Sequence, residues 1–167
     1  MHFVKKLMKL RVRHPHLLGL GIMRPLRLKK VWLALGWFAI CMLIYQSLDP
    51  SPLHLPDFVF ADKMTHFLVY AWIMLWFGFI YSPGKKYFLL GLSLILLGVT
   101  LELLQGAGGY RSMEVSDASF NALGVFAGGL LARTRLSLAL LWAERLIYTS
   151  IEPRAKSKEQ RVRHEGR

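Results

Sequence analysis

The chain alternates between long apolar runs and short polar breaks, and four such runs can be marked off. Positions 31–48, VWLALGWFAICMLIYQSL, have the length that a tilted helix needs to cross about 30 Å of hydrocarbon at 1.5 Å per residue. Asp49, Pro50, Pro52 and Pro56 then break the helix, so an irregular loop is expected up to Asp62. A second run, 64–81, is rich in aromatic side chains, with Trp72, Trp76 and Tyr81 as bulk and interfacial anchors. The tight turn SPGKK closes it. The third run, 87–105, is uniformly apolar until Glu102. The fourth, 117–132, stops at Arg133 and Arg135 and is short for a full crossing. It predicts either a helix among neighbours in a thinned bilayer or a re-entrant segment.

This pattern predicts an all-α fold: an integral membrane four-helix bundle with basic amphipathic, interfacial segments at its N- and C-terminal ends. The domain organisation follows from it. Residues 1–30 form a basic leader and 31–132 the membrane domain. Residues 133–150 form an interfacial amphipathic helix, and 151–167 a basic tail with the composition of a disordered segment.

Composition sharpens the picture. The chain is 54% hydrophobic yet carries a net charge of +12 over 167 residues, so charge and apolar surface must be segregated. Of the 22 Lys and Arg, all but Lys63, Lys85, Lys86 and Arg111 lie before residue 31 or after residue 132. By the positive-inside bias, both termini then lie in the cytoplasm, which four crossings make self-consistent. The basic ends would attract anionic lipid, each basic residue contributing about 1 kcal/mol near the surface. Topology already accounts for the charge, so nucleic acid is not an expected partner. Cys41 is the lone cysteine, which leaves no intramolecular disulfide and no cysteine-based metal site. The basic leader extends to Lys30 with no small-residue cleavage pattern behind it, so the first span is expected to be a retained anchor.

The candidate chemistry is concentrated where the apolar pattern fails. Asp62, Lys63 and His66 open the second span, Glu102 and Gln105 end the third, and Asp117 and Asn121 begin the fourth. In an up-and-down arrangement all of them lie on one side of the membrane. Residues three or four apart share a helix face, which pairs Asp62 with His66, Glu102 with Gln105, and Asp117 with Asn121. Continuing from Asn121 at that spacing reaches Gly124 and Gly128, small residues that let a neighbouring helix come close. The polar stripe should therefore face the bundle interior. A carboxylate facing lipid would cost about 2.5 to 3.5 kcal/mol on insertion scales. Glu102 thus needs a partner, with His66 and Arg111 the candidates. Blander roles compete: Asp62 and Ser116 or Asp117 stand where helix caps are expected, Lys63 suits an interface, and the whole set could be a structural interhelical network.

The sequence DKMTHF followed by Tyr70, then ELLQ, Arg111, Asp117 and NALGVFAGG, resembles the VanZ-like family of small bacterial membrane proteins. The resemblance covers about residues 62–130 and departs in the GAGGY segment between Gln105 and Arg111. It implies a multi-pass protein of the bacterial cytoplasmic membrane, in a family named for an accessory factor in teicoplanin resistance. The motif falls on Asp62, Lys63, His66, Glu102, Gln105, Arg111, Asp117, Asn121 and Gly124.

Three functions are compatible with these residues. The leading expectation is binding: an outward polar pocket takes a lipid-linked envelope precursor or a lipoglycopeptide, with Arg111 and Lys63 on an anionic headgroup and Glu102, Asn121 and His66 shaping the cavity. An enzyme would use His66 with Glu102 or Asp117 as acid and base on a lipid-linked substrate. It ranks second because no nucleophile elbow, phosphate loop or metal-ligand set is present. One histidine near scattered carboxylates is a weak metal signal, so no metal and no cofactor are expected. A transporter or proton relay ranks third, because the polar groups cluster at one side instead of continuing through the midplane. Assembly into an oligomer is compatible with all three.

Overall fold

The computed structural model describes residues 23–49, 61–108 and 114–149. Most of the leader, the proline loop, Arg111 and the 151–167 tail therefore lie outside the described residues. Within them the chain is helical, with no strand; the one β-type contact is an isolated bridge between Met23 and Tyr81.

Four helices carry the structure: α1 (Lys29–Leu48), α2 (Ala61–Ile80), α3 (Lys85–Gly108) and α4 (Val115–Leu131). A short 3₁₀ turn, Arg135–Leu138, then leads into α5, residues 139–149. By length and composition α1, α2 and α3 are each fit to cross a membrane. Their exposed large apolar side chains, among them Phe38, Trp72, Phe88 and Leu96, are what helices facing hydrocarbon carry. With 17 residues, α4 is shorter. It reaches spanning length only when taken together with the following helical segment, from which it is bent by 72°. The break falls at Ala132–Thr134, where the Thr134 hydroxyl accepts from the backbone N–H of Leu136 and starts the next turn.

The helix boundaries are wider than the apolar runs alone suggest. Helix α2 begins at Ala61, which puts Asp62 and Lys63 inside its first turn. Helix α4 begins at Val115 with Glu114 at its cap position, and the Glu114 side chain makes no capping bond there. The capping roles considered for Asp62, Ser116 and Asp117 are therefore not the ones the structure gives them. Asp117 lies one turn too late, and its side chain turns inward and is buried.

The core is centred on α2. Tyr70, Ile73, Met74, Phe77 and Ile80 pack against Leu94 of α3, Val125 of α4 and Ile40 of α1. The α2 to α4 contact is the closest, and glycine makes it so. A β-carbon added at Gly124 would stand 2.3 Å from the Phe67 carbonyl oxygen, and one at Gly128 2.3 Å from that of Ala71. The backbones touch at those points, as small residues spaced four apart allow. The contacts ascend together along both helices, from Lys63 with Asp117 through Phe67 with Gly124 to Gly78 with Ala132. Helices α2 and α4 thus run parallel, with their N-termini at the same end.

At the other end, Glu144 of α5 closes the bundle. Its carboxylate accepts the backbone N–H groups of Arg27 and Leu28 and the Trp32 indole N–H, each at 2.8 Å. Two of these are donors that the start of α1 cannot satisfy internally. Arg27 also lies over the Tyr148 ring, 4.4 Å from its centroid. The Arg24 N–H donates to the Ile80 carbonyl at 2.8 Å, so the chain before α1 is bound to the end of α2.

Candidate functional site: a buried polar cluster at one end of the bundle

Where the N-termini of α2 and α4 meet the C-terminus of α3, the helix faces turn polar. Glu102, Gln105, Asp117 and Asn121 are all buried there, none more than 3% exposed. Each pair expected to share a helix face does so. The stripe points inward, as the cost of turning it toward hydrocarbon requires.

The bonds within the cluster define three groups. Lys63 bridges two carboxylates, with its ammonium 2.6 Å from Glu114 Oε2 and 3.2 Å from Asp117 Oδ1. The Ser116 hydroxyl donates to Glu114 at 3.1 Å. These neighbours hold the Glu114 carboxyl below the usual carboxylate value: the Lys63 hydrogen bond contributes most, followed by Ser116 and the Lys63 charge, against smaller opposing effects of burial and Asp62.

His66 forms the second group. Its Nδ1 pairs with Asn121 Oδ1 at 3.0 Å; an amide oxygen only accepts, so Nδ1 is the donor. On the far side of the ring, Nε2 lies 3.8 Å from Asp62 Oδ1 and 4.0 Å from Asp117 Oδ2. Behind Asn121, Gly98 of α3 leaves the space that the amide and the Tyr70 hydroxyl fill, since a β-carbon there would come within 3.0 Å of Asn121 Nδ2 and 3.1 Å of the Tyr70 oxygen.

Glu102 and Gln105 form the third group. Glu102 Oε1 accepts the backbone N–H of Glu114 at 2.7 Å. This is one partner that its burial demanded; of the two side chains the sequence nominated, His66 bonds Asn121 instead, and Arg111 lies outside the described residues. Gln105 donates to the Ser47 carbonyl at 2.7 Å, which secures the end of α1 to α3. Every buried side-chain polar atom among the described residues has a hydrogen-bond partner.

The structure therefore brings Asp62, Lys63, His66, Glu102, Gln105, Asp117 and Asn121 to one place and puts Gly124 and Gly128 in the packing role expected of them. Arg111, the remaining candidate, lies outside the described residues. Two participants were not foreseen: Glu114, which meets both Lys63 and Glu102, and Gly98. Glu114 carried a usable signal as the carboxylate three residues before Asp117. Gly98 carried none, because its role depends on what α2 and α4 place opposite it.

The fold and cluster together define a class: an all-helical protein with helices fit to cross a membrane and a buried, fully bonded polar cluster at one end. Comparison with family models, with curated proteins and with solved structures finds no match to this chain.

Proposed function

We propose that this chain is a multi-pass protein of a bacterial cytoplasmic membrane, similar to the VanZ-like proteins, whose polar cluster faces outward and binds the headgroup of a lipid-linked or lipid-bearing envelope molecule. In this reading α1 to α4 form a four-helix membrane bundle. Basic charge before α1 and after α4 keeps both termini in the cytoplasm, with α5 lying at that interface.

The observation that carries the reading is the burial of Glu102, Gln105, Asp117 and Asn121 at one end of helices whose other surfaces are apolar. An amphiphile has the same division, with a polar head at the mouth and chains along the helices. Asp62, Glu102, Glu114 and Asp117 outnumber the single described cation, Lys63, which two of them already share. Contact with an anionic group would fall to Arg111, on the strength of the resemblance.

The test is binding of polyprenyl-linked glycan precursors and of teicoplanin by the purified protein in lipid nanodiscs, compared with ordinary phospholipid. Wild type is expected to bind one of these, and Glu102→Gln with Lys63→Ala to weaken it at least tenfold. Equal binding by wild type and the double variant, with unchanged envelope-stress and glycopeptide phenotypes in cells, would overturn the proposal. A catalytic reading draws on His66 Nε2 and Asp117 Oδ2 standing 4.0 Å apart, a spacing from which an acid–base pair can tighten on substrate. Turnover of the bound precursor, lost in His66→Gln, would favour it over binding alone.

A further inference from the structure

We propose that the end of the bundle opposite the polar cluster is a docking surface for anionic phospholipid headgroups, centred on Lys85, Lys86, Arg133, Arg135 and the outward face of α5. Three helix ends supply its charge. Lys29 and Lys30 open α1, Lys85 and Lys86 open α3, and Arg133 and Arg135 follow α4; all six are exposed. Glu144 is the one acidic side chain among the described residues of this end, and it is buried against Arg27, Leu28 and Trp32. The inference rests on the reading of α5 as an interfacial helix and not on headgroup binding at the far end.

These charges are gathered because α2, α3 and α4 meet at Gly78. A β-carbon there would stand 2.3 Å from the Ala132 β-carbon and 2.9 Å from the Tyr87 hydroxyl. Ala132 precedes Arg133 and Tyr87 follows Lys86, so the cations of two helices flank one junction. The Tyr87 hydroxyl, fixed by its 2.9 Å bond to the Met74 carbonyl, is near enough to Arg133 and Arg24 to sense both charges. Like charges so gathered repel, and the repulsion falls when a counter-anion lies among them.

Where the cations stand relative to the apolar surface decides what kind of anion fits. On each helix they border exposed apolar side chains directly: Lys30 precedes Val31, Lys86 is followed closely by Phe88 and Leu89, and Leu130 and Leu131 lead to Arg133. Charge thus rims the hydrocarbon-facing surface at the depth where lipid phosphates lie. A soluble polyanion would meet the cations and leave the apolar rim in water. Zwitterionic lipid brings its own ammonium to the phosphates, so a surface this basic selects lipid of net negative charge.

Helix α5 adds a second, independent feature. The 72° bend turns the helical segment after α4 away from the α4 axis. Leu140 and Glu144 face inward and are buried, whereas Trp142 and Leu146 face outward, 57% and 69% exposed, with Arg145 exposed beside them. An apolar face that carries tryptophan and is edged by arginine is what an interfacial helix presents to a leaflet. Its apolar side chains enter the acyl boundary and its guanidinium groups stay at the phosphates. Arg135 and Arg145 then share the headgroup layer that Lys85, Lys86 and Arg133 border.

The test uses the full chain in vesicles of phosphatidylcholine and phosphatidylglycerol, with brominated acyl chains on one lipid or the other, and reads the quenching of tryptophan fluorescence. Subtracting a Trp142→Phe variant isolates Trp142 from the rest of the five tryptophans. At low ionic strength Trp142 is expected to prefer brominated phosphatidylglycerol about fivefold, the scale of a basic residue at an anionic surface. Raising salt to about 0.5 M should remove most of that preference. Arg133→Gln, Arg135→Gln and Arg145→Gln combined should lower it to about twofold or less, with helical circular dichroism unchanged. Equal quenching by the two lipids in wild type would overturn the proposal. So would a preference indifferent to salt, or one that the substituted chain keeps in full, which would assign it to other basic segments. Nucleic acid retained by wild type in place of phosphatidylglycerol would overturn it in favour of a soluble polyanion. Failure of both lipids to quench Trp142 would overturn the interfacial placement of α5 as well, while headgroup binding at the far end is measured independently of all these outcomes.

Discussion

A lysine ammonium shared between Glu114 and Asp117 ties the N-terminal turns of α2 and α4 together from residues far apart in sequence. The lowered pKa of Glu114 gives this tie a pH dependence of definite sign. A carboxyl whose folded value lies below its unfolded one contributes stability that is fully present above the unfolded value, about 4.5, and lost as pH falls through the folded value. Thermal unfolding of wild type and Glu114→Gln should therefore differ at pH 7, and the difference should shrink as pH is lowered below about 4.5. A difference that does not change as pH falls would assign it to something other than the Lys63 pair. At this scale part of the site was legible in the sequence. Asp62 with His66 and Asp117 with Asn121 follow from helical spacing, whereas the bond from the Glu114 N–H to Glu102 depends on how the chain turns between α3 and α4. The Glu144 clasp on Arg27, Leu28 and Trp32 was likewise invisible, because a single glutamate amid leucine and arginine looks like interfacial decoration until the start of α1 is placed beside it.

At the level of helices, the parallel α2 to α4 seam decides which side chains meet. Gly124 lies against the Phe67 backbone and Gly128 against that of Ala71, so even one added methyl must push the helices apart. Gly124→Ala is expected to destabilise the bundle by about 1 to 3 kcal/mol, the usual cost of overpacking, measured by reversible unfolding in mixed micelles. Gly129→Ala is the control, since its added carbon would meet only the Met74 methyl at 3.8 Å and should be nearly neutral. Equal effects at the two positions would refute the seam. The sequence pointed to these glycines by their spacing from Asn121, yet it did not say which helix they face. Element ends were less legible still: the helices run past the apolar runs, because a polar first or last turn costs little when its side chains find partners in neighbouring helices.

For the whole molecule, the open question of span four becomes one of geometry at a bend. If α4 crosses and α5 lies along the inner interface, reporter fusions at residue 55 will report the outside and fusions at the C-terminus the cytoplasm. A C-terminal fusion reporting the outside would show that α4 and α5 together form a re-entrant hairpin about their 72° break. Cys41, the lone cysteine, can be replaced to give a background for labelling single cysteines across the same positions.

What the sequence determined by itself is what periodicity and solvent preference encode locally: an all-helical chain, three helices of membrane length, and polar faces that cannot be left against hydrocarbon. What only the tertiary structure decided is who meets whom. The choice of Glu114 for Lys63, of a backbone N–H for Glu102, and of Asp117 for the Asp62–His66 face depends on the direction and rotation of α2 and α4 about their glycine seam. Such contacts join positions on different elements, 12 residues apart for Glu102 and Glu114 and 51 for Lys63 and Glu114, and local pattern constrains the face of each helix without constraining its neighbour.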